Sequence, residues 1–103
     1  MAKKTRLAPD EYDYKEDIGN LAEEILNGIA EEEYPMDDNE GGYAIEIAVL
    51  DYVFPVSGSD KDIVADDLAK ALADIMSEND DCAYGDLASD PKVRFTEDYL
   101  IVG

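Results

Sequence analysis

A chain of 103 residues with 27 Asp and Glu against 8 Lys and Arg carries a formal net charge of −19, a density at which self-repulsion opposes a compact state. Hydrophobic residues still make up 46%, so one core is attainable and an acidic disordered tail is excluded. The charge also disfavours direct contact with DNA, RNA or an anionic membrane leaflet, and a lone cysteine, Cys82, rules out an internal disulfide and suits a reducing cytosol.

Three of the eight bases (Lys3, Lys4 and Arg6) stand in the first six residues, so the other 97 hold 27 acids and 5 bases, a net of −22. Residues 1–9 read as a flexible basic arm ending at Pro9, without the apolar stretch of a signal peptide. Residues 10–103 read as a single acidic domain. The first predicted element is a helix from Asp10 to about Glu33, because Tyr14, Ile18, Leu21, Ile25 and Ile29 recur on one face of a 3.6-residue period. Asp10 suits its N-cap, and Glu11 and Asp13 suit the positive end of the dipole. Gly19 and Gly28 each weaken a helix interior by up to about 1 kcal/mol against Ala, which leaves a kink or a start near Asp17 as alternatives, and Tyr34-Pro35 ends it.

Met36 to Gly42 is an acidic, glycine-rich loop in this reading. A strand follows over Tyr43 to Phe54, with Tyr43, Ile45, Ile47 and Val49 on one face. Ser59 with Asp62 resembles a capping box ahead of a second helix, Asp60 to Ser77, whose stripe is Val64, Leu68, Ala71, Leu72 and Ile75. Glu78 to Pro91 has no periodicity. Lys92 to Val102 is strand-like, with a turn at Glu97-Asp98 and with Val93, Phe95, Tyr99 and Ile101 expected to point inward. The order α-β-α-β-β predicts a small α+β domain, two amphipathic helices packed on a three-stranded antiparallel or mixed sheet.

Catalytic machinery is hard to assemble from these residues. There is no histidine, which removes the commonest general base and the commonest zinc ligand. Neither glycine-rich phosphate-loop pattern occurs. Cys82 follows Asp80 and Asp81, whose charge raises a thiol pKa, so a small filler role is expected of it. The expectation is a protein that is not an enzyme and takes no cofactor. Asp37-Asp38-Asn39-Glu40-Gly41-Gly42 imitates the start of an EF-hand divalent-cation site. Its twelfth position falls on Ala48, which cannot ligate, so no metal residue is assigned.

The acids of the first helix are better organised. At 100° per residue Asp13, Glu16, Asp17, Glu23, Glu24 and Glu31 share one arc with Asn20 and Asn27, and Lys15 lies only at its flank. Ordinary exposed helices mix signs, since like charges at i, i+4 repel. Ten acids over 24 helical residues amount to roughly one per 3.6 Å, near the roughly 3.4 Å per phosphate of a DNA strand. Asp62, Asp66, Asp67 and Asp74 on the second helix, and Asp37 and Asp38 in the loop, extend the set of expected partner-binding residues. Tyr12 and Tyr34, off the apolar stripe, are candidate interface anchors.

With its size, its charge and this unbroken arc, the chain resembles the small acidic DNA-mimic proteins by which phages and mobile elements block host defences. The resemblance implies a non-catalytic inhibitor, in the cytoplasm of a bacterial host, that fills the nucleic-acid cleft of a basic protein: a nuclease, a CRISPR effector or a restriction component. Such mimics share no sequence motif, so no residue role is carried over. A homodimer would lengthen the acidic surface. Two alternatives stay open. One is a halophile-adapted structural domain, in keeping with Asp over Glu at 16 to 11; the other is a divalent-cation binder.

Overall fold

The computed structural model describes residues 5–10, 12–37, 39, 41–50, 52–55, 58–78 and 91–103. In chain order these form β1 (Thr5–Arg6), α1 (Tyr14–Ala30), β2 (Met36–Asp37), β3 (Gly42–Glu46), a 3-10 turn (Ile47–Val49), β4 (Tyr52–Val53), α2 (Gly58–Glu78), β5 (Val93–Phe95) and β6 (Tyr99–Val102). The fold is a small α+β domain in which two helices accompany a four-stranded antiparallel sheet of order β2-β3-β6-β5. That sheet has one strand more than the sequence pattern predicts, and β1 and β4 form a second, two-stranded one. The addition is β2, which lies in the expected loop and pairs Met36 with Tyr43 and Asp37 with Gly42. Gly41, at φ +76°, closes that hairpin in a conformation few side chains tolerate.

One face of the sheet carries the core. Cross-strand partners share a face, so Tyr43 and Val102, Ile45 and Leu100, and Val93 and Phe95 line the same side. Against them lie Ile18, Leu21, Ala22, Ile25, Leu26 and Ile29 of α1 and Val64, Leu68 and Leu72 of α2. Among the described residues no charged or polar side chain is buried.

The tail hairpin turns at Glu97-Asp98 as expected, held by Thr96 N donating to Tyr99 O at 2.8 Å. That turn places Leu100 opposite Phe95. Leu100 and Val102 therefore face the helices, and Tyr99 and Ile101 take the far face, the reverse of the expected assignment. Ile101 is nonetheless buried there, while Tyr99 is exposed.

The predicted long strand from Tyr43 to Phe54 stops at Glu46. β6 begins at Tyr99, opposite Glu46, so pairing on this sheet ends with Ile47 N donating to Asp98 O at 3.0 Å. The chain turns there, with Leu50 N donating to Ile47 O at 3.2 Å, and Val49 emerges 63% exposed.

α1 is shorter than predicted. It starts after Asp13, not Asp10, and the Asp13 side chain makes no capping hydrogen bond. The chain is already committed upstream. Within the stretch expected to be an arm, β1 pairs in parallel with β4, Leu7 N donates to Val53 O at 2.9 Å and the Leu7 side chain is fully buried. α2 begins at Gly58, so Ser59 lies inside its first turn and does not cap it.

Candidate acidic interface

The buried side of α1 is broad. Beyond the predicted stripe it includes Ala22, Leu26 and Gly28. Gly28 is explained by Tyr34, whose ring lies over it so closely that a Cβ there would collide with the ring. What remains for solvent is the acidic arc. Asp13, Glu16, Glu23 and Glu31 are exposed, and Asp17 and Glu24 are half-buried at its edge. From Asp13 to Glu31 the axis runs about 27 Å at 1.5 Å per residue. Six acids over that length give roughly one per 4.5 Å, a looser ladder than the phosphate spacing of about 3.4 Å.

The end of α1 adds two acids that the sequence pattern did not single out as site residues. Glu32 N donates to Ile29 O at 3.1 Å and Glu33 N to Gly28 O at 2.8 Å, the two bonds of a Schellman cap. The residue at the left-handed position of that cap is Glu32, at φ 60°, where glycine is usual. Glu31, Glu32 and Glu33 are all exposed, at the end of the helix where the macrodipole repels negative charge. Glu33 and Glu24 also bear on Tyr34. Burial, then the charges of Glu24 and Glu33, raise the Tyr34 hydroxyl above the usual tyrosine pKa. Three consecutive glutamates after an apolar period were the available signal. Periodicity alone counts them as a continuation of the helix.

The second-helix acids behave differently. Asp67 accepts a hydrogen bond from the Tyr14 hydroxyl at 2.8 Å, tying α2 to α1. Burial of Tyr14, then this bond and the Asp67 charge, push the phenol well above its usual pKa. Asp66 pairs with Lys70 at 3.1 Å and holds that ammonium above the ordinary lysine range. Asp67 and Asp74 line a shallow groove along the α1–α2 seam together with Lys15 and Lys70. Asp62 and Asp66 line a separate groove with Lys61, Lys70, Lys92 and Arg94. The acids of α2 are thus interleaved with bases, and those of α1 are not.

In the β2–β3 hairpin, Asp37 accepts from Asn39 N at 3.0 Å, a local turn bond. Asp38, Glu40 and Cys82 lie outside the described residues. Among the described residues no group of three or more potential metal ligands gathers, and no helix is long and apolar enough to cross a membrane. Tyr12, directly before the ridge, is 99% exposed, whereas Tyr34 is packed against the core. Of the two candidate anchors, only Tyr12 is therefore fully open to solvent.

Comparison of the chain with protein-family models, with characterised proteins and with solved structures finds no match.

Proposed function

We propose that this protein is a non-catalytic inhibitor whose α1 ridge stands in for a DNA backbone in the cleft of a basic nucleic-acid-binding protein, of the nuclease, restriction or CRISPR-effector kind. The observation that carries the reading is the ridge and its end. Asp13, Glu16, Glu23 and Glu31 are exposed on one arc without an intervening base, and Glu32 and Glu33 prolong it in a cap that favours glycine and at a dipole end that favours cations. Acids held where local stability opposes them fit a surface used for contact. A solvating surface could place the same charges at less cost.

Charge complementarity would accelerate encounter and make it salt-sensitive, and tightness would come from a few desolvated contacts, Tyr12 foremost. The test is Glu16→Lys with Glu23→Lys, two exposed positions of the ridge. Inhibition of the target protein should fall at least about 100-fold while the melting curve stays in place. Unchanged inhibition would remove this face from the account. A second reading, salt adaptation, draws on the α2 acids, which are dispersed among lysines as solvating residues are. It requires that the chain unfold in low salt and fold only at molar salt, whereas an inhibitor is folded at ordinary ionic strength.

A further inference from the structure

The face of the sheet turned away from the helices carries a recess of ≈ 590 Å³, with Pro35, Asp37, Ala44, Thr96, Tyr99 and Ile101 in its lining. The strand register accounts for that set. Ala44 pairs with Ile101 and Glu46 with Tyr99, Asp37 pairs with Gly42, and Ala44 N donates to Pro35 O at 3.0 Å. Cross-strand partners share a face, and these alternate with Tyr43, Ile45, Leu100 and Val102 of the core face.

A small side chain makes the hollow. Pro35, Ala44 and Ile101 form one row across three strands, and the methyl group of Ala44 leaves space that a larger residue would fill. Ile101 is buried and forms the floor, and Tyr99 stays 39% exposed. Successive residues on one face of a strand stand roughly 7 Å apart. Along the strand direction Asp37 therefore lies about 7 Å from this row on one side, and Tyr99 about 7 Å on the other.

Charge selects the occupant. Among the described residues, Asp37 is the one ionised side chain of the lining. Glu46 stands across from Tyr99 on the same face, and Glu97 and Asp98 form the turn ahead of Tyr99. Lys92 and Arg94 share the face but gather around another recess, beyond Ile101. The Asp37 carboxylate accepts Asn39 N at 3.0 Å, and a carboxylate has further acceptor sites for a guanidinium. An apolar floor with a negative end, on a chain of net charge −19, is complemented by an apolar group next to a cation. Arginine suits the position better than lysine, because a guanidinium is more weakly hydrated and meets a carboxylate with two parallel N–H groups.

We infer that this recess accepts an extended segment of a partner protein that carries an apolar side chain and, two residues away, an arginine. The apolar side chain rests on Ala44 and Ile101 against Tyr99, and the guanidinium meets Asp37. Side chains at i and i+2 of an extended chain project to one side roughly 7 Å apart, which matches the separation of Asp37 from the Ala44 row. The recess and the α1 ridge lie on opposite sides of the sheet, so the inference does not rest on the ridge.

The probes are the blocked peptides Leu-Gly-Arg and Arg-Gly-Leu, since either chain direction gives the same spacing. Each is titrated into the full isotope-labelled chain at physiological salt, which screens loose attraction to the exposed acids, and followed by amide NMR. At least one should give saturable shifts centred on Ala44, Tyr99 and Ile101. Gly-Gly-Arg and Leu-Gly-Glu should bind there at least about fivefold more weakly. Asp37→Asn, which keeps an acceptor for Asn39 N, and Ala44→Phe, which fills the hollow with a residue favoured in strands, should each weaken binding at least about fivefold. Asp37→Asn keeps the test decisive if Ala44→Phe does not fold. Glu16→Lys with Glu23→Lys should leave these shifts in place, and their loss in that variant would put the peptide on the ridge and overturn the inference. Absence of saturable shifts with both peptides, equal affinity for Gly-Gly-Arg or Leu-Gly-Glu, or indifference to Asp37→Asn also overturns it. So does the appearance of the same shifts with rising protein concentration alone, which would make the occupant a second copy.

Discussion

Replacing Glu32 by glycine should stabilise the protein. Glu32 occupies the left-handed position of the α1 cap at φ 60°, a conformation that costs a residue with a Cβ about 1–2 kcal/mol. Its carboxylate also sits against the negative end of the helix dipole, worth about 0.3–0.5 kcal/mol at an exposed site. Glycine relieves both. It adds unfolded-chain entropy that offsets about 0.4–1 kcal/mol. The net is a gain of about 1 kcal/mol, or about 4–8 °C in Tm for a domain of this size. Glu32→Gln separates the two causes, because it removes the charge and keeps the Cβ, and should gain only about 0.3 kcal/mol. Urea and thermal unfolding followed by circular dichroism read both. A neutral or destabilising Glu32→Gly would refute the cap geometry. If Glu32→Gly stabilises and also weakens partner binding, the acid is retained for contact against stability.

Leu7→Ala should cost about 2–5 kcal/mol, because Leu7 is fully buried; a loss under about 0.5 kcal/mol in urea unfolding would mean that this segment is an arm after all. Tyr14→Phe removes the hydroxyl that donates to Asp67 and should cost about 1–2 kcal/mol, below the full value of a charged hydrogen bond because Asp67 is half-exposed; combining it with Asp67→Asn should give less than the sum. Stability should hold up to about pH 10 and decline above it. The folded protein keeps Tyr14 and Tyr34 protonated beyond the unfolded value, so the unfolded state releases these protons first, at a slope of at most about 1.4 kcal/mol per pH unit per tyrosine. Denaturant midpoints from pH 8 to 12 check this, and Tyr14→Phe should flatten part of the decline; an identical decline in that variant would contradict the assignment.

Both helices were legible because their buried residues repeat with the helical period, over about four turns in α1 and about two in α2, and the tail hairpin because its apolar runs flank Glu97-Asp98. What escaped has a physical reason in each case. β1, β2 and β4 are two residues long, too short for any periodicity, and two of them are joined by a parallel pairing that no local turn signals. The inward side of β6 is set by the cross-strand pairing of Leu100 with Phe95, which alternation continued through a turn does not reveal. The acidic arc of α1 could be read from angles alone. The helix length could not, since the left-handed turn at Glu32 opposes the ordinary preference of that residue. Nor could sequence show that Asp67 of α2 takes its hydrogen bond from Tyr14 of α1, 53 residues away along the chain, whereas the Asp66–Lys70 pair is an i, i+4 contact open to the helical period.

The central claim is that the α1 ridge occupies a site where a partner binds DNA. The most direct measurement is affinity capture from a bacterial host lysate at physiological salt, beside a folded control protein of equal charge, followed by elution with duplex DNA and mass spectrometry. The account predicts one nucleic-acid-binding protein that the control does not retain, released by DNA and no longer captured by the Glu16→Lys, Glu23→Lys variant. A captured set identical to that of the control, or a partner that DNA does not displace, would contradict it.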